Sequence, residues 1–434
     1  MNLTEKERAL LDGKHGQGLK KAMEILMTLG RIYGAKEMVP VTSAQIAGVS
    51  YKNIGDPGLE FLTDWADQNA RVHIPAFMNP AGIDRQLWQQ LGFPEAFATK
   101  QIEIIEVLKR MGIRATLTCT PYHIGNVPQK GEHIAWSESS AVSYANSVLA
   151  ARTNREGGPS ALAAAFCGRT PRFGLHLHEN RLATHRIIVK CKLASSANFG
   201  LLGYLVGKNV GKGIPFFQGI DLPENESERT TCLKSLGAAM AASGAVALYH
   251  IENFTPEAVA YGDKIVKSDA MTIEINSANH STAPLAPNHP ITKLPNHLTL
   301  SLDEARLTLN QPGSEIDLVT LGCPHVSLEE LKDIAKIIGN QDLKKPLWIA
   351  SSAIVREDAR ANGILEIIEK AGGRILADTC MVVAPLEEMG IKFIATNSAK
   401  AATYLPSHQA AVVHFGTTEQ CIQTAIKGHF DFGF

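Results

Sequence analysis

The sequence predicts an α/β protein with doubly wound parallel sheets, and three observations carry that expectation. In the last third, strand-like apolar runs (IDLVTLG, PLWIASS, RILADTC, KFIATNS and AAVVHFG) alternate in places with helical stretches, LEELKDIAKIIG, EDARANGILEIIEKAGG and TTEQCIQTAIKG. That order builds βαβ units. With 434 residues the chain can bury sizeable cores in two or three domains. Finally, Cys119 in IRATLTCTPY, Cys323 in IDLVTLGCPH and Cys380 in RILADTCMVV each follow a strand-like run and open a turn. Right-handed crossovers bring the carboxyl ends of parallel strands to one edge, where ligands bind.

The elements follow in order. EKERALLDGKHGQGLKKAMEILMTLGRIYG reads as a helix broken between Gly13 and Gly18. EMVPVTSAQIAG reads as a short strand, NIGDPG as a turn and LEFLTDWADQN as a helix. ARVHIPAFMNPAGID predicts a strand and then a loop. EAFATKQIEIIEVLKRMG has helical apolar spacing, and IRATLT predicts a strand leading into Cys119. SESSAVSYANSVLAARTNREGGPSALAAAFCGRTP predicts two closely packed helices joined by TNREGG, with Pro159 in the first turn of the second, a favoured place. FGLHLHENRLATHRIIVKCKL reads as β-rich, NFGLLGYLVGKNVG as a buried helix, and AVALYHIEN and AMTIEIN as strands. The expected organisation is an N-terminal and middle α/β region, 1–300, and a C-terminal doubly wound domain, 301–434. No internal sequence repeat or low-complexity segment interrupts it.

Composition excludes some functions. Forty-two basic and 43 acidic residues give a net charge of -1, so no basic field recruits nucleic acid or an anionic membrane. A small anionic substrate must then be held by local positive groups. The N-terminus lacks a signal-peptide core and no apolar run reaches spanning length, so the expected location is cytoplasmic. Seven cysteines without a CxxC pair do not suit a disulfide framework, a zinc ribbon or a thioredoxin-like motif.

Four constellations could carry chemistry. Cys119, Cys323 and Cys380 are soft ligands that could converge at one sheet edge and hold a metal with one position open. Three buried structural thiols are the bland alternative, and His325 in GCPH could instead complete a closed zinc site. The turn Arg152–Gly158, with Asn154, Arg155 and Glu156, precedes a helix start; backbone N–H groups, helix dipole and Arg155 together would bind an anion. Ser137, Ser139 and Ser140 around Glu138, and Asn397 with Ser398, either cap helices or line the same pocket. His176 and His178 would share a face if GLHLHENR is a strand. Lys208 and Lys212 could meet a phosphate, although their loop lacks P-loop spacing.

The motifs TCTPYHIGN, WSESSAVSYANSVLAARTNREGGPSALAAA, GLHLHENR, GCPH, ADTCMVV and TNSAKAATYLP together resemble the aconitase X family over nearly the whole chain. The resemblance implies an aconitase-like catalytic core of several α/β domains and a hydro-lyase activity. It implies a [4Fe-4S] cluster on Cys119, Cys323 and Cys380. Similar archaeal proteins dehydrate (R)-5-phosphomevalonate to trans-anhydromevalonate 5-phosphate for isoprenoid precursors, and bacterial relatives dehydrate cis-3-hydroxy-L-proline. It also implies that the swivelling domain with its serine base lies on a separate small subunit. A non-catalytic scaffold with structural zinc is the rival from another class.

Overall fold

The computed structural model describes residues 1–277 and 297–431. The first strands are β1 (Met38–Pro40), β2 (Ala44–Ile46), β3 (Ala76–Met78), β4 (Ala135–Trp136) and β5 (Arg169–Pro171). β1 and β5 form an antiparallel ribbon, and β3-β2-β4 a small parallel sheet. The next five are β6 (Ala183–Val189), β7 (Pro215–Gln218), β8 (His250–Ile251), β9 (Val266–Asn276) and β10 (His297–Ser301), in the order β10-β9-β6-β7-β8. The last five are β11 (Leu318–Leu321), β12 (Leu347–Ser351), β13 (Arg374–Ala377), β14 (Phe393–Thr396) and β15 (Val412–Phe415), in the order β13-β12-β11-β14-β15. Every neighbouring pair in these two sheets is parallel.

Numbered within itself, each five-stranded sheet has the order 3-2-1-4-5. The second therefore repeats the topology of the first without any sequence repeat. Each has a switch point beside its first strand, between β6 and β9 and between β11 and β14. Ligands of doubly wound sheets bind outside such points. The expected C-terminal doubly wound sheet is thus present. Its strands β11 and β12 are buried throughout, which is why they read as continuous apolar runs.

One core runs through both sheets, from Phe199 and Leu236 to Ile394 and Phe415. The helices Ser196–Val210 and Glu226–Ser243 pack backbone to backbone. A β-carbon on Gly203 would lie 2.4 Å from the Leu236 carbonyl oxygen, so glycine is required for that approach. Among the described residues, no helix is long and apolar enough to cross a membrane.

Several local expectations are corrected. IRATLT is not a sheet strand: Arg114 makes one bridge to Phe77, and Leu117 has a φ of 45°, which turns the chain out of line. NIGDPG lies inside Tyr51–Asp67, two helical pieces meeting at Gly55, whose φ of 57° suits glycine. The helices Ser139–Ser147 and Gly158–Cys167 form with Pro159 in the first turn, but they pack on Glu226–Ser243 and Gln17–Ile32, not on each other. GLHLHENR forms two 3-10 turns, Gly174–His176 and His178–Arg181. His176 is buried against His133 (Nδ1 to Nδ1, 2.9 Å), whereas exposed His178 packs its ring at a tilt against Tyr261, so they do not form a ligand pair. AVALYHIEN contributes only the two residues of β8.

Candidate active site

Cys323 lies two residues beyond β11, at the switch point of the last sheet, and Cys380 three residues beyond edge strand β13. Cys119 comes from the irregular segment after Arg114. All three line one cavity of about 380 Å³, together with Asn79, Ser137, Glu138, Ser139, Arg155 and Lys400. Among the described residues, no three His, Cys, Asp or Glu side chains stand ready around a single ion.

His325 ties the three thiol-bearing turns together. It follows Cys323 by two residues, and its backbone N–H donates to Cys119 Sγ at 3.2 Å. Its Nε2 lies 2.8 Å from the Thr379 carbonyl, next to Cys380, and its Nδ1 lies 3.1 Å from Thr118 Oγ1, next to Cys119. A carbonyl only accepts, so Nε2 carries the proton and Nδ1 accepts from the threonine. Burial holds this imidazole down to about 4, so it is neutral. Both ring nitrogens are therefore occupied, and His325 cannot be the fourth ligand of a closed zinc site.

The thiols differ electrostatically. Burial, then the nearby Glu138 carboxylate, pushes Cys119 up to about 12. A hydrogen bond with Cys323 pulls Cys380 down, while the same bond and burial raise Cys323, so Cys380 is the sulfur that gives up its proton first. Lys400 Nζ pairs with Glu138 Oε1 and lies 3.3 Å from Ser140 Oγ. Burial alone would raise the Glu138 carboxyl, but Lys400 and bonds from Ser140 overcome it and hold it at about 2. Lys400 is correspondingly held above its ordinary value despite burial, by Glu138 and then by Cys323 and Cys119.

The other expected site residues divide. Arg155 is exposed and lines the cavity, as do Ser137 and Ser139. Its one described side-chain bond is a 3.5 Å contact to the Ala241 carbonyl. Ser140 is buried behind the wall, donating to Glu138 at 2.8 Å. The cap of Ser139–Ser147 is Glu138 itself, not a serine. Asn154 turns away, bonding the Phe173 carbonyl (3.1 Å) and the Leu175 N–H (2.9 Å). Glu156 is buried with Ser160 (2.6 Å) and Thr170 (3.2 Å). Arg155 thus lines the cavity while its neighbours brace the loop. Asn397 bonds Thr418 at 2.9 Å and lines a separate cleft of about 890 Å³. Ser398 donates to the Cys323 carbonyl and accepts from Ala401 N at 3.1 Å, capping its helix. Lys208 and Lys212 are exposed and do not line the cavity.

Lys400 and Asn79 do not stand out in the sequence, and Glu138 reads there first as a helix-starting residue and second as one of the polar groups lining the pocket, where the structure places it. One signal was available: Lys400 sits among Ala399, Ala401 and Ala402, an unusually small, apolar setting for a lysine.

Comparison with known proteins places this geometry. Family models of the aconitase X first, second and third domains match residues 1–179, 183–282 and 316–427. The phosphomevalonate dehydratase large subunit of Methanocaldococcus jannaschii is 47% identical over 433 residues, covering 98% of this chain and all of that protein. The protein of the same name from Thermococcus kodakarensis is 45% identical over 94% of this chain and 95% of its own. A cis-3-hydroxy-L-proline dehydratase of Pseudomonas aeruginosa is 31% identical over 98% of this chain and 70% of its own length. The crystal structure of Thermococcus kodakaraensis aconitase X in its holo-form superposes with a TM-score of 0.85 at 44% identity, covering 98% of this chain and all of that one. Three domains matched in order and one fold shared end to end leave a single conclusion: the chain belongs to the aconitase X family.

Proposed function

We propose that this chain is the catalytic large subunit of a hydro-lyase that dehydrates (R)-5-phosphomevalonate to trans-anhydromevalonate 5-phosphate, within isoprenoid precursor synthesis. The observation that carries the reading is the convergence of three thiols and Arg155 on one cavity, in a chain with this family's fold. Four relatives at 43–47% identity are named phosphomevalonate dehydratase large subunit, whereas those named for cis-3-hydroxy-L-proline stand at 30–31%.

The donor set fits an iron–sulfur group, proposed as [4Fe-4S] on Cys119, Cys323 and Cys380. Thiolates are the usual ligands of such groups. The hydrogen bond with Cys323 pulls the Cys380 thiol below its ordinary value, which eases loss of its proton, and a backbone N–H points at Cys119 sulfur. When bound, the group supplies a Lewis acid for the hydroxyl that must leave. Lys400 places a buried positive charge beside the three sulfurs and offsets part of their negative charge. Arg155 has no carboxylate partner among the described ion pairs and is proposed to hold the substrate's carboxylate or phosphate in bidentate fashion. Lys208 and Lys212 have no part in this.

The base that takes the α-proton is proposed to lie on a separate small subunit with the swivelling domain. The words "large subunit" in the names of the relatives support this, as does the part of the longer hydroxyproline dehydratases that the chain leaves unmatched. A cytoplasmic location is part of the proposal, supported by seven free cysteines.

The test is co-expression with a candidate small subunit, anaerobic purification, and assay of both substrates with iron, sulfide and zinc analysis. The expected result is iron with labile sulfide and dehydration of phosphomevalonate. Stoichiometric zinc without turnover would overturn the reading, and turnover of cis-3-hydroxy-L-proline alone would reassign the substrate.

A further inference from the structure

The wall of the thiol cavity holds two polar side chains whose oxygens have no partner in the protein: Asn79 Oδ1 and Ser137 Oγ. The Asn79 amide is not free to turn. Glu138 is paired with Lys400 and stays ionised, so its oxygens only accept. Its Oε1 takes Lys400, Ser139 Oγ at 3.4 Å, and Ser140 N (3.2 Å) and Oγ (2.8 Å). Its Oε2 takes Asn79 Nδ2 at 3.3 Å. The amide must therefore give its NH2 to Glu138, which leaves its carbonyl oxygen as the unmatched atom. The backbone N–H of Asn79 is fixed to the Ile46 carbonyl at 2.9 Å, so the residue as a whole is anchored.

A buried acceptor without a donor is unfavourable, and this one belongs to a residue that lines the cavity. An amide oxygen cannot pair with a carboxylate or a phosphate dianion; it needs an O–H or N–H. We propose that Asn79 Oδ1 is a specificity group that accepts a hydrogen bond from the β-hydroxyl of the substrate, so that the site selects a β-hydroxy acid over the corresponding deoxy acid. The inference rests on the dehydratase reading and deepens it. The unsaturated product has lost that hydroxyl, so it forfeits the contact and leaves more easily than the substrate.

The experiment uses the anaerobically purified complex with its small subunit. Asn79→Leu removes the acceptor while keeping much of the volume, and Asn79→Ala repeats the measurement should the leucine variant not assemble. The probes are (R)-5-phosphomevalonate and its 3-deoxy analogue, used as a competitive inhibitor. The expected result is a fall of roughly 10- to 100-fold in kcat/KM for the substrate, with the inhibition constant of the deoxy compound unchanged. Equal losses for both compounds would mean that Asn79 only shapes the cavity, and no change in either would remove it from recognition; each outcome overturns the proposal. A wild-type complex inactive on phosphomevalonate would instead refute the substrate reading. The same pair of measurements is then made with cis-3-hydroxy-L-proline and L-proline, and the same split is expected.

Discussion

Lys400 and Glu138 form a buried ion pair on the wall of the cavity, and stability should depend on pH through it. Glu138 ordinarily titrates near 4.5 and is held at about 2 here. A depressed carboxyl stabilises the fold fully above its unfolded value. That stability is lost as pH falls below 4.5 toward 2, because only the unfolded chain takes up the proton. The difference is about 3 kcal/mol. Lys400 works in the opposite sense, contributing below its ordinary value of 10.5 and losing its effect well above it. Urea titrations of the iron-free chain between pH 6 and pH 3 should show wild type losing stability more steeply than Lys400→Met, in which the unpaired buried Glu138 prefers its proton. Equal slopes would contradict the pairing. In the proposed role Arg155 acts through its fork geometry, so Arg155→Lys would keep the charge and lose the bidentate contact. That change should raise KM by about tenfold with iron content unchanged, a loss of about 1.4 kcal/mol.

At the scale of elements, the site depends on how three turns are held, and His325 holds them. It reaches Thr118, Thr379 and Cys119 from the turn of Cys323. His325→Ala removes none of the three sulfurs and should yet lower iron retention. It should also destabilise the chain by about 2–4 kcal/mol, since the mutation leaves a cavity and strands buried partners. Iron content per chain after desalting, with thermal melting alongside, measures both. Full iron retention would show that the turns are held without it. The cysteines were legible in the sequence because a residue just past a strand-like run falls at a sheet edge. Cys323 and Cys380 do follow true strands, and Cys119 lines the same cavity although its approach is irregular. The sequence could not separate Arg155 from Asn154 and Glu156, since all three are polar residues in one turn and only the backbone path decides which faces inward. Nor could it reveal Lys400, because an ion pair between positions 138 and 400 is formed by tertiary packing alone. The GCPH motif leaves His325 open as a ligand because it does not say where the ring's hydrogen bonds go.

Across the whole molecule, the two five-stranded sheets share one topology and one continuous core, and they carry different duties. The last sheet brings Cys323 and Cys380 to its edge, and the N-terminal region supplies Cys119, Glu138 and Arg155, so the cavity exists only when the parts are assembled. A buried ion pair outside the cavity lining supports that assembly: Arg181 Nε and Nη2 hold Glu257 at 2.8 Å, and Arg181 also bonds Asn146. Asn146 in turn grips both the N–H and the carbonyl of Thr153, two residues before Arg155. Glu257→Gln should therefore cost about 3–5 kcal/mol, measured by urea unfolding, by leaving a buried guanidinium without its countercharge. A loss below 1 kcal/mol would contradict that account. The proposal for a separate base also belongs to this scale: the purified chain, loaded with iron but without its small subunit, should dehydrate at a negligible rate.

The central claim is that Cys119, Cys323 and Cys380 together hold an iron–sulfur group at this cavity. It is tested most directly by iron and labile-sulfide content, with the visible absorption spectrum, of the anaerobically purified complex in which each is replaced in turn by alanine. Buried Cys167, which lies away from the cavity, serves as the control. Each of the three replacements should abolish the absorption and most of the iron while Cys167→Ala retains both. Undiminished iron and sulfide after replacement of any one of the three would contradict it.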